Sequence, residues 1–456
     1  MYSFNRRLQQ ADWDIILGYT RRIQRLPRLH HDCDLTTDCF KELSEPPSSI
    51  AIFPKLRYLA LHSPWKPIAC FVPQFINPGL THLSFYNAKR LGSIHAFGNG
   101  CPNVKWFHVA GMEPWADPGM ISGFICQWPN LHYVDCLEVE LSVAAFVRLS
   151  CLHSLNHLHF QLHDEVVNWI QSCQSGTFVL TFATLRTLSL NSESLASTWM
   201  FLRHLRLPVI EDLAIRPYVM PTAPDIMSFL AGLQATCTHD TLHHFTLLQR
   251  GHYDFDEDPT RYHITFVHLH SLTVFTKIRS ITIDPHCSVV LTERELLCLA
   301  ASWPCLERFI VHGTPRRTEL SGITPGGFVQ LLERWRSLRT LHVNFDVRGY
   351  TEPPQGHPWH GLRMQERARL HLQNSPIEEE SVYALGVFFH VAPYPDFQLD
   401  THQDYLDVVD DETPEELCNM YHDRWKRVHA LARELWEERR ALKRSLSAPF
   451  FDNDVL

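Results

Sequence analysis

One short phrase recurs through most of this chain and constrains its fold more than any other feature: an aliphatic residue, two others, a second aliphatic, one more residue, a third aliphatic. It occurs at Leu56/Leu59/Leu61, Leu80/Leu83/Phe85, Val104/Phe107/Val109, Leu131/Val134/Cys136, Leu155/Leu158/Phe160, Leu185/Leu188/Leu190, Ile210/Leu213/Ile215, Leu242/Phe245/Leu247, Leu269/Leu272/Val274, Leu306/Phe309/Val311 and Leu338/Leu341/Val343. Apolar residues two apart and flanked by polar ones carry the strand period. Successive first positions lie 24 to 37 residues apart, within or just beyond the roughly 20–29 of repeats built from a strand and a returning helix. Several phrases follow a proline (Pro54, Pro78, Pro102, Pro129, Pro208, Pro304). Repetition in phase predicts an α/β leucine-rich-repeat solenoid, a horseshoe with parallel strands on the concave face, helices on the convex face and helical caps at the ends. Ile278/Ile281/Ile283, inside the longest gap, reads as a half-formed extra strand.

Helix signals fall between the phrases. Thr292-Glu-Arg-Glu295 is a capping box, and Thr324-Pro325 places an N-cap ahead of a first-turn proline. Residues 1–52 read as a helical entry cap, with Trp13, Ile16, Leu17 and Ile23 in a helix from Asp12 to Leu26 and a polar loop from Lys41 to Ser49. The solenoid is expected over 53–394 as about 11–13 irregular repeats, with Leu370-His-Leu372 a last strand. Residues 396 to 416 hold nine Asp and Glu and no Lys or Arg, so 395–412 reads as an acidic linker. One apolar stripe (Leu417, Tyr421, Trp425, Val428, Leu431, Leu435, Leu442) then defines an amphipathic helix over 413–447 with a basic outer face, read as a capping helix or as a docking helix for a partner, and 448–456 is a tail.

Composition excludes more than it selects. Hydrophobic residues at 45% and charged ones at 20% belong to a folded chain. A net charge of −9 offers no overall basic footprint, so neither nucleic acid nor an anionic membrane is an expected partner. The longest uncharged apolar run, Val382 to Phe389, is far below a membrane span. Thirteen cysteines, with no Cys-x-x-Cys and no Asn-x-Ser/Thr site, read as free thiols, several of them core residues such as Cys136 and Cys298; an intracellular location is expected. No hydrolase elbow, phosphate loop, zinc-protease or dinucleotide motif occurs. The expectation is a noncatalytic chain without a cofactor.

Histidine departs from that plain picture. Strand alternation sends three residues of each phrase to the concave face, and those positions hold His62, His82, His108, His157, His159, His244, His312 and His342. That is eight of 29 histidines, where an even scatter would place about two. Tyr58, Tyr86, Trp106, Tyr133 and Phe275 share the same positions. These thirteen residues are the candidate partner-binding set, since aromatic side chains anchor protein interfaces. Imidazoles on facing strands, and the cluster His30-His31-Asp-Cys33, leave a transition-metal or enzymatic reading open beside it.

Several segments together resemble the leucine-rich-repeat F-box proteins numerous in mushroom-forming fungi. They are Asp12-Trp13 followed by Tyr19-Thr-Arg-Arg22-Ile23-x-x-Leu26, the Pro-x-Leu-x-x-Leu-x-Leu strands, Leu291-Thr-Glu-x-Glu-Leu-x-x-Leu-Ala-x-x-Trp-Pro304, Asn374-Ser-Pro-Ile377 and a closing helix with Trp425. The resemblance implies repeats that hold a substrate protein and a preceding helical F-box that joins the adaptor of a cullin-type ubiquitin ligase. In this sequence the Asp-Trp segment begins about ten residues from Met1. The expectation is therefore a relative whose F-box is missing here, with the adaptor a partner only if an F-box lies upstream; a free-standing repeat protein with no ligase link is the alternative.

Overall fold

The computed structural model describes residues 4–29, 36–47, 51–62, 71–86, 95–111, 118–173, 179–250, 261, 263–284, 289–311, 322–353, 355–356, 369–372, 375–390, 398–400 and 415–446. They pack as two units, Met1–Val219 with Ala235–Thr241, and Met220–Gln234 with Leu242–Leu456.

In the first unit the strands β1 (Arg25–Leu29), β2 (Tyr58–His62), β3 (His82–Tyr86), β4 (Trp106–Ala110), β5 (Tyr133–Glu140) and β6 (His157–Gln161) lie side by side in chain order. After β7 (Leu180–Thr181) come β8 (Thr187–Ser192), β9 (Leu205–Arg206) and β10 (Asp212–Pro217); β8 and β10 continue the sheet, while β7 and β9 pair with each other. Every pairing is parallel. Register stacks Leu59, Leu83, Phe107, Val134, Leu158, Leu188 and Leu213 in one row, each at most 1% exposed. This is the interior row that the repeated phrase predicts.

Why the phrase opens with Pro-x-Leu is visible in the backbone. The N–H of Leu56, Leu80 and Val104 donates to the carbonyl three residues back, on Phe53, Asn77 and Cys101. Each closes a four-residue turn whose second position is proline, where the ring presets the required φ. The turn drops the first leucine into the core: Leu56, Leu80 and Val104 are fully buried. One carbonyl then receives the next two N–H groups of the neighbouring repeat, as when Thr81 and His82 both donate to Arg57. That pattern passes from strand to strand through Glu211 and Asp212, which donate to Arg186. Helices on one side supply the facing core, with Phe146 of Val143–Ser150 and Phe201 of Leu195–Leu202 meeting Phe160 at 5.5 and 5.9 Å between ring centroids. The other face of the sheet carries the alternate, outward residues.

The second unit repeats this plan. It holds β11 (His244–Leu248), the small parallel pair β12 (Ile264–Thr265) and β14 (Val289–Val290), and the run β13 (Ser280–Asp284), β15 (Arg308–Val311), β16 (Thr340–His342), β17 (Arg369–His371) and β18 (Gln398–Asp400). Phe245, Ile281, Phe309, Leu341 and Leu370 form its buried row. Thr292 and Glu295 exchange the two capping-box bonds, and Thr324 Oγ1 accepts from Gly327 N at 3.1 Å. Helices Ser381–His390 and Glu415–Leu446 pack on each other at its C-terminal side. Trp425 is 1% exposed and donates Nε1–H to the Ser375 carbonyl at 2.9 Å. Gly386 lies so close to Leu431 that a Cβ there would collide with its side chain. The stripe on the last helix is thus a cap seam as far as Ala432.

Several expectations need correcting. The phrase at Leu269/Leu272/Val274 is helical, because Leu269 and Leu272 are three apart and the segment is capped by Thr265 and His268. The strand is the Ile278/Ile281/Ile283 phrase instead. Phe275 is accordingly not on the open face but fully buried: its carbonyl accepts from Ile278 N, the place held by Phe53 in the first unit. At the N-terminus the helix runs only Gln10–Thr20, and Leu26 pairs with Leu59 as part of β1. Lys41–Ser44 ends a second helix rather than a loop. β18 lies inside the segment read as an acidic linker, and Cys298 is exposed while Cys136 is buried. His312, the cluster from His30 to Cys33 and most of 395–412 lie outside the described residues.

Candidate functional site

Parallel register turns the outward residues of the first unit into continuous rows. The first row runs Arg25, Tyr58, His82, Trp106, Tyr133 and His157 across β1 to β6. Its rings pack in sequence, stacked from His82 through Trp106 to Tyr133 and tilted at the two ends. Centroids are 5.8 Å apart for Tyr58 and His82, 5.6 Å for His82 and Trp106, 4.6 Å for Trp106 and Tyr133, and 5.6 Å for Tyr133 and His157. The guanidinium of Arg25 lies 5.0 Å over the Tyr58 ring at one end. Trp106 is 43% exposed, so the row presents its edges to solvent while neighbours cover its faces.

A second row, one alternation further along, passes Ser84, His108, Asp135, His159 and Ser189. Here the geometry converges on a single atom. Asp135 Oδ2 accepts the Tyr133 hydroxyl at 3.0 Å, with His108 Nδ1 at 3.1 Å and His159 Nδ1 at 3.6 Å. The carboxylate is 14% exposed. Burial alone would raise its pKa, but hydrogen bonding and charge from the two imidazoles outweigh it and hold the carboxyl well below the usual range. Burial, reinforced by the adjacent carboxylate, pushes the Tyr133 phenol well above its ordinary value, so it stays a donor. His82 is lowered by burial and by Arg25 and Lys105, and His157 by burial and then His159. In a third row His62 stacks on Tyr86 at 4.4 Å, and Tyr86 meets His108 at 5.0 Å.

Nine of the thirteen candidate residues therefore meet on this one face: Tyr58, His62, His82, Tyr86, Trp106, His108, Tyr133, His157 and His159. His244 stands exposed on β11 in the other unit. His342 holds an outward register position on β16 yet is 8% exposed, its ring 3.7 Å from that of His371 on β17. Asp135 was not among the candidates, although it occupies an outward position of its phrase between Val134 and Cys136. Choosing residues by type, His and aromatic, passed over the carboxylate that ties them together.

Chemically, a carboxylate held ionised by a hydroxyl and two imidazoles is a weak proton acceptor. Among the described residues no group of three or more His, Cys, Asp or Glu is arranged to hold a metal ion. Among them, too, no helix is long and apolar enough to cross a membrane.

The ladder defines an α/β leucine-rich-repeat fold. No protein-family description and no curated protein matches the chain. Among solved structures it is similar to an internalin, inlF, from Listeria monocytogenes, at 11% identity and a TM-score of 0.34 over 80% of this chain and 83% of that one. It is also similar to a chain of the Rad7 and Elc1 complex in yeast, at 14% identity and a TM-score of 0.41 over 68% of this chain and 74% of that one. At these values the fold rests on its own strand register.

Proposed function

We propose that this chain is a noncatalytic protein-interaction scaffold whose partner seats on the open face of β2 to β6. The observation that carries this reading is the ring row Tyr58, His82, Trp106, Tyr133 and His157, ordered by ring-on-ring packing before any partner arrives. Side chains already fixed in place lose little further freedom on binding, and aromatic groups contribute most of the energy at such surfaces. The finer reading is a substrate receptor like the fungal F-box repeat proteins that the sequence resembles, working with a ligase adaptor if an F-box precedes this segment.

Affinity purification of tagged chain from its native cells tests both levels. Trp106→Ala removes the most exposed ring of the row and is expected to reduce partner recovery while shifting the thermal unfolding midpoint little, since 43% of the residue already faces water. Unchanged recovery would refute the proposed surface. Co-purification of a cullin-ligase adaptor supports the receptor reading; partners without it leave a free-standing scaffold.

A further inference from the structure

We infer that the face over β1 to β6 takes an extended, acidic segment of its partner, laid across the strands; this rests on the partner-surface reading above. The residue before each of these strands and the one that opens it (24–25, 57–58, 81–82, 105–106, 132–133 and 156–157) include Arg25, Arg57 and Lys105 and no Asp or Glu. In a chain of net charge −9 this strip runs against the overall balance. Among the described residues none of the three cations is in an ion pair; Arg25 lies over the Tyr58 face, and Arg57 and Lys105 are exposed. Arg25 and Lys105 are close enough to disfavour protonation of His82 between them. Asp135, a carboxylate one row further in, is already engaged by His108, His159 and Tyr133. Beyond β6 the character changes, since Arg186 is paired with Glu211 and Asp212 enters the first row. The strip therefore has a cationic start and an acidic stop.

Ring geometry points the same way. The stacked rings of His82, Trp106 and Tyr133 cover one another's negative π-faces and turn outward their positive edges. Such edges favour carbonyl and carboxylate oxygens. A nucleic acid base needs an open π-face to stack on, which this row does not offer. Six strands at about 4.8 Å spacing span roughly 24 Å, the reach of about seven extended residues. Screening over about 10 Å at moderate salt makes the attraction salt-dependent.

The test uses fluorescence anisotropy on the full chain, with a labelled Glu-Ala repeat peptide of about eight residues as probe, a Lys-Ala repeat of the same length and a thymidine oligonucleotide. The expected result is binding of the Glu-Ala peptide over the Lys-Ala peptide, weakening as salt is raised, and at least about tenfold weaker binding to the double variant Arg57→Glu, Lys105→Glu with an unchanged melting temperature. No binding, equal binding of the Lys-Ala peptide, tighter binding of the oligonucleotide, or an unaffected double variant would each overturn the inference. Partner capture separates the two levels. Capture lost with Trp106→Ala but kept in the double charge variant overturns the acidic inference and leaves the partner surface standing; capture kept in both overturns the surface itself.

Discussion

Asp135→Asn isolates the electrostatic contribution at the centre of the open face. The change keeps the side chain's shape and one oxygen acceptor for the Tyr133 hydroxyl, and removes the negative charge that His108 and His159 approach at 3.1 and 3.6 Å. A hydrogen bond to a charged group contributes about 1.5–3 kcal/mol and a neutral one about 1 kcal/mol. Counting the shorter contact fully and the longer one in part, the variant should lose about 1–2.5 kcal/mol at neutral pH. For a unit of this size that is roughly 2–10 °C in the melting temperature. The pH dependence has a definite sign. Asp135's folded pKa is depressed, so its contribution is complete above the unfolded value near 3.9 and is lost as pH falls through the folded one. The gap between wild type and variant should therefore persist from about pH 7 to pH 5 and begin to close only below about pH 4. Calorimetric or circular-dichroism melts across that range read it directly. A variant as stable as wild type at neutral pH, or a gap that closes already by about pH 5, would refute the assignment of Asp135 as the carboxylate organising this face.

Two further predictions concern the C-terminal cap. Gly386→Ala would drive a Cβ into Leu431 Cδ2; overpacking costs about 1–3 kcal/mol and exceeds the roughly 1 kcal/mol gain in helix propensity. Urea unfolding should show net destabilisation that shrinks in a Leu431→Ala background by at least about 0.5 kcal/mol, and strictly additive effects would contradict the contact. Trp425→Phe leaves the buried Ser375 carbonyl without its 2.9 Å donor and should cost about 1–3 kcal/mol. It should also speed protease cleavage within Glu415–Leu446, whereas unchanged cleavage would show that this helix is not held through Trp425.

Strand positions were legible wherever the phrase combined its i, i+3, i+5 spacing with a turn, as at Pro54, Pro78, Pro102 and Pro304. The same letters misled at Leu269/Leu272, since a three-residue step also fits one helical face and only the cap at Thr265 and His268 decides. β1 lacks the full phrase: only Leu26 pairs with an interior residue before the register shifts, so the segment carries little strand signal to set against the helix pattern around Trp13. Phe275 lies inward because the segment before it is a helical turn and the strand begins only at Ser280. The outward histidines and rings of β2 to β6 were readable from alternation alone. Their convergence on Asp135 was not, because it depends on which strands are neighbours: His108 lies 27 positions before Asp135 in the chain and His159 lies 24 after it, and register alone makes all three adjacent.

Alternation along β2 to β6 assigns odd and even letters to different duties, one to the interior and one to the exterior. An exterior residue such as Trp106 is free to be exchanged during evolution without disturbing Phe107 beside it, so new specificities can arise on an old framework. Asp135 is the exception, an exterior letter bound up with stability, and around it the surface should drift more slowly than along the cationic border.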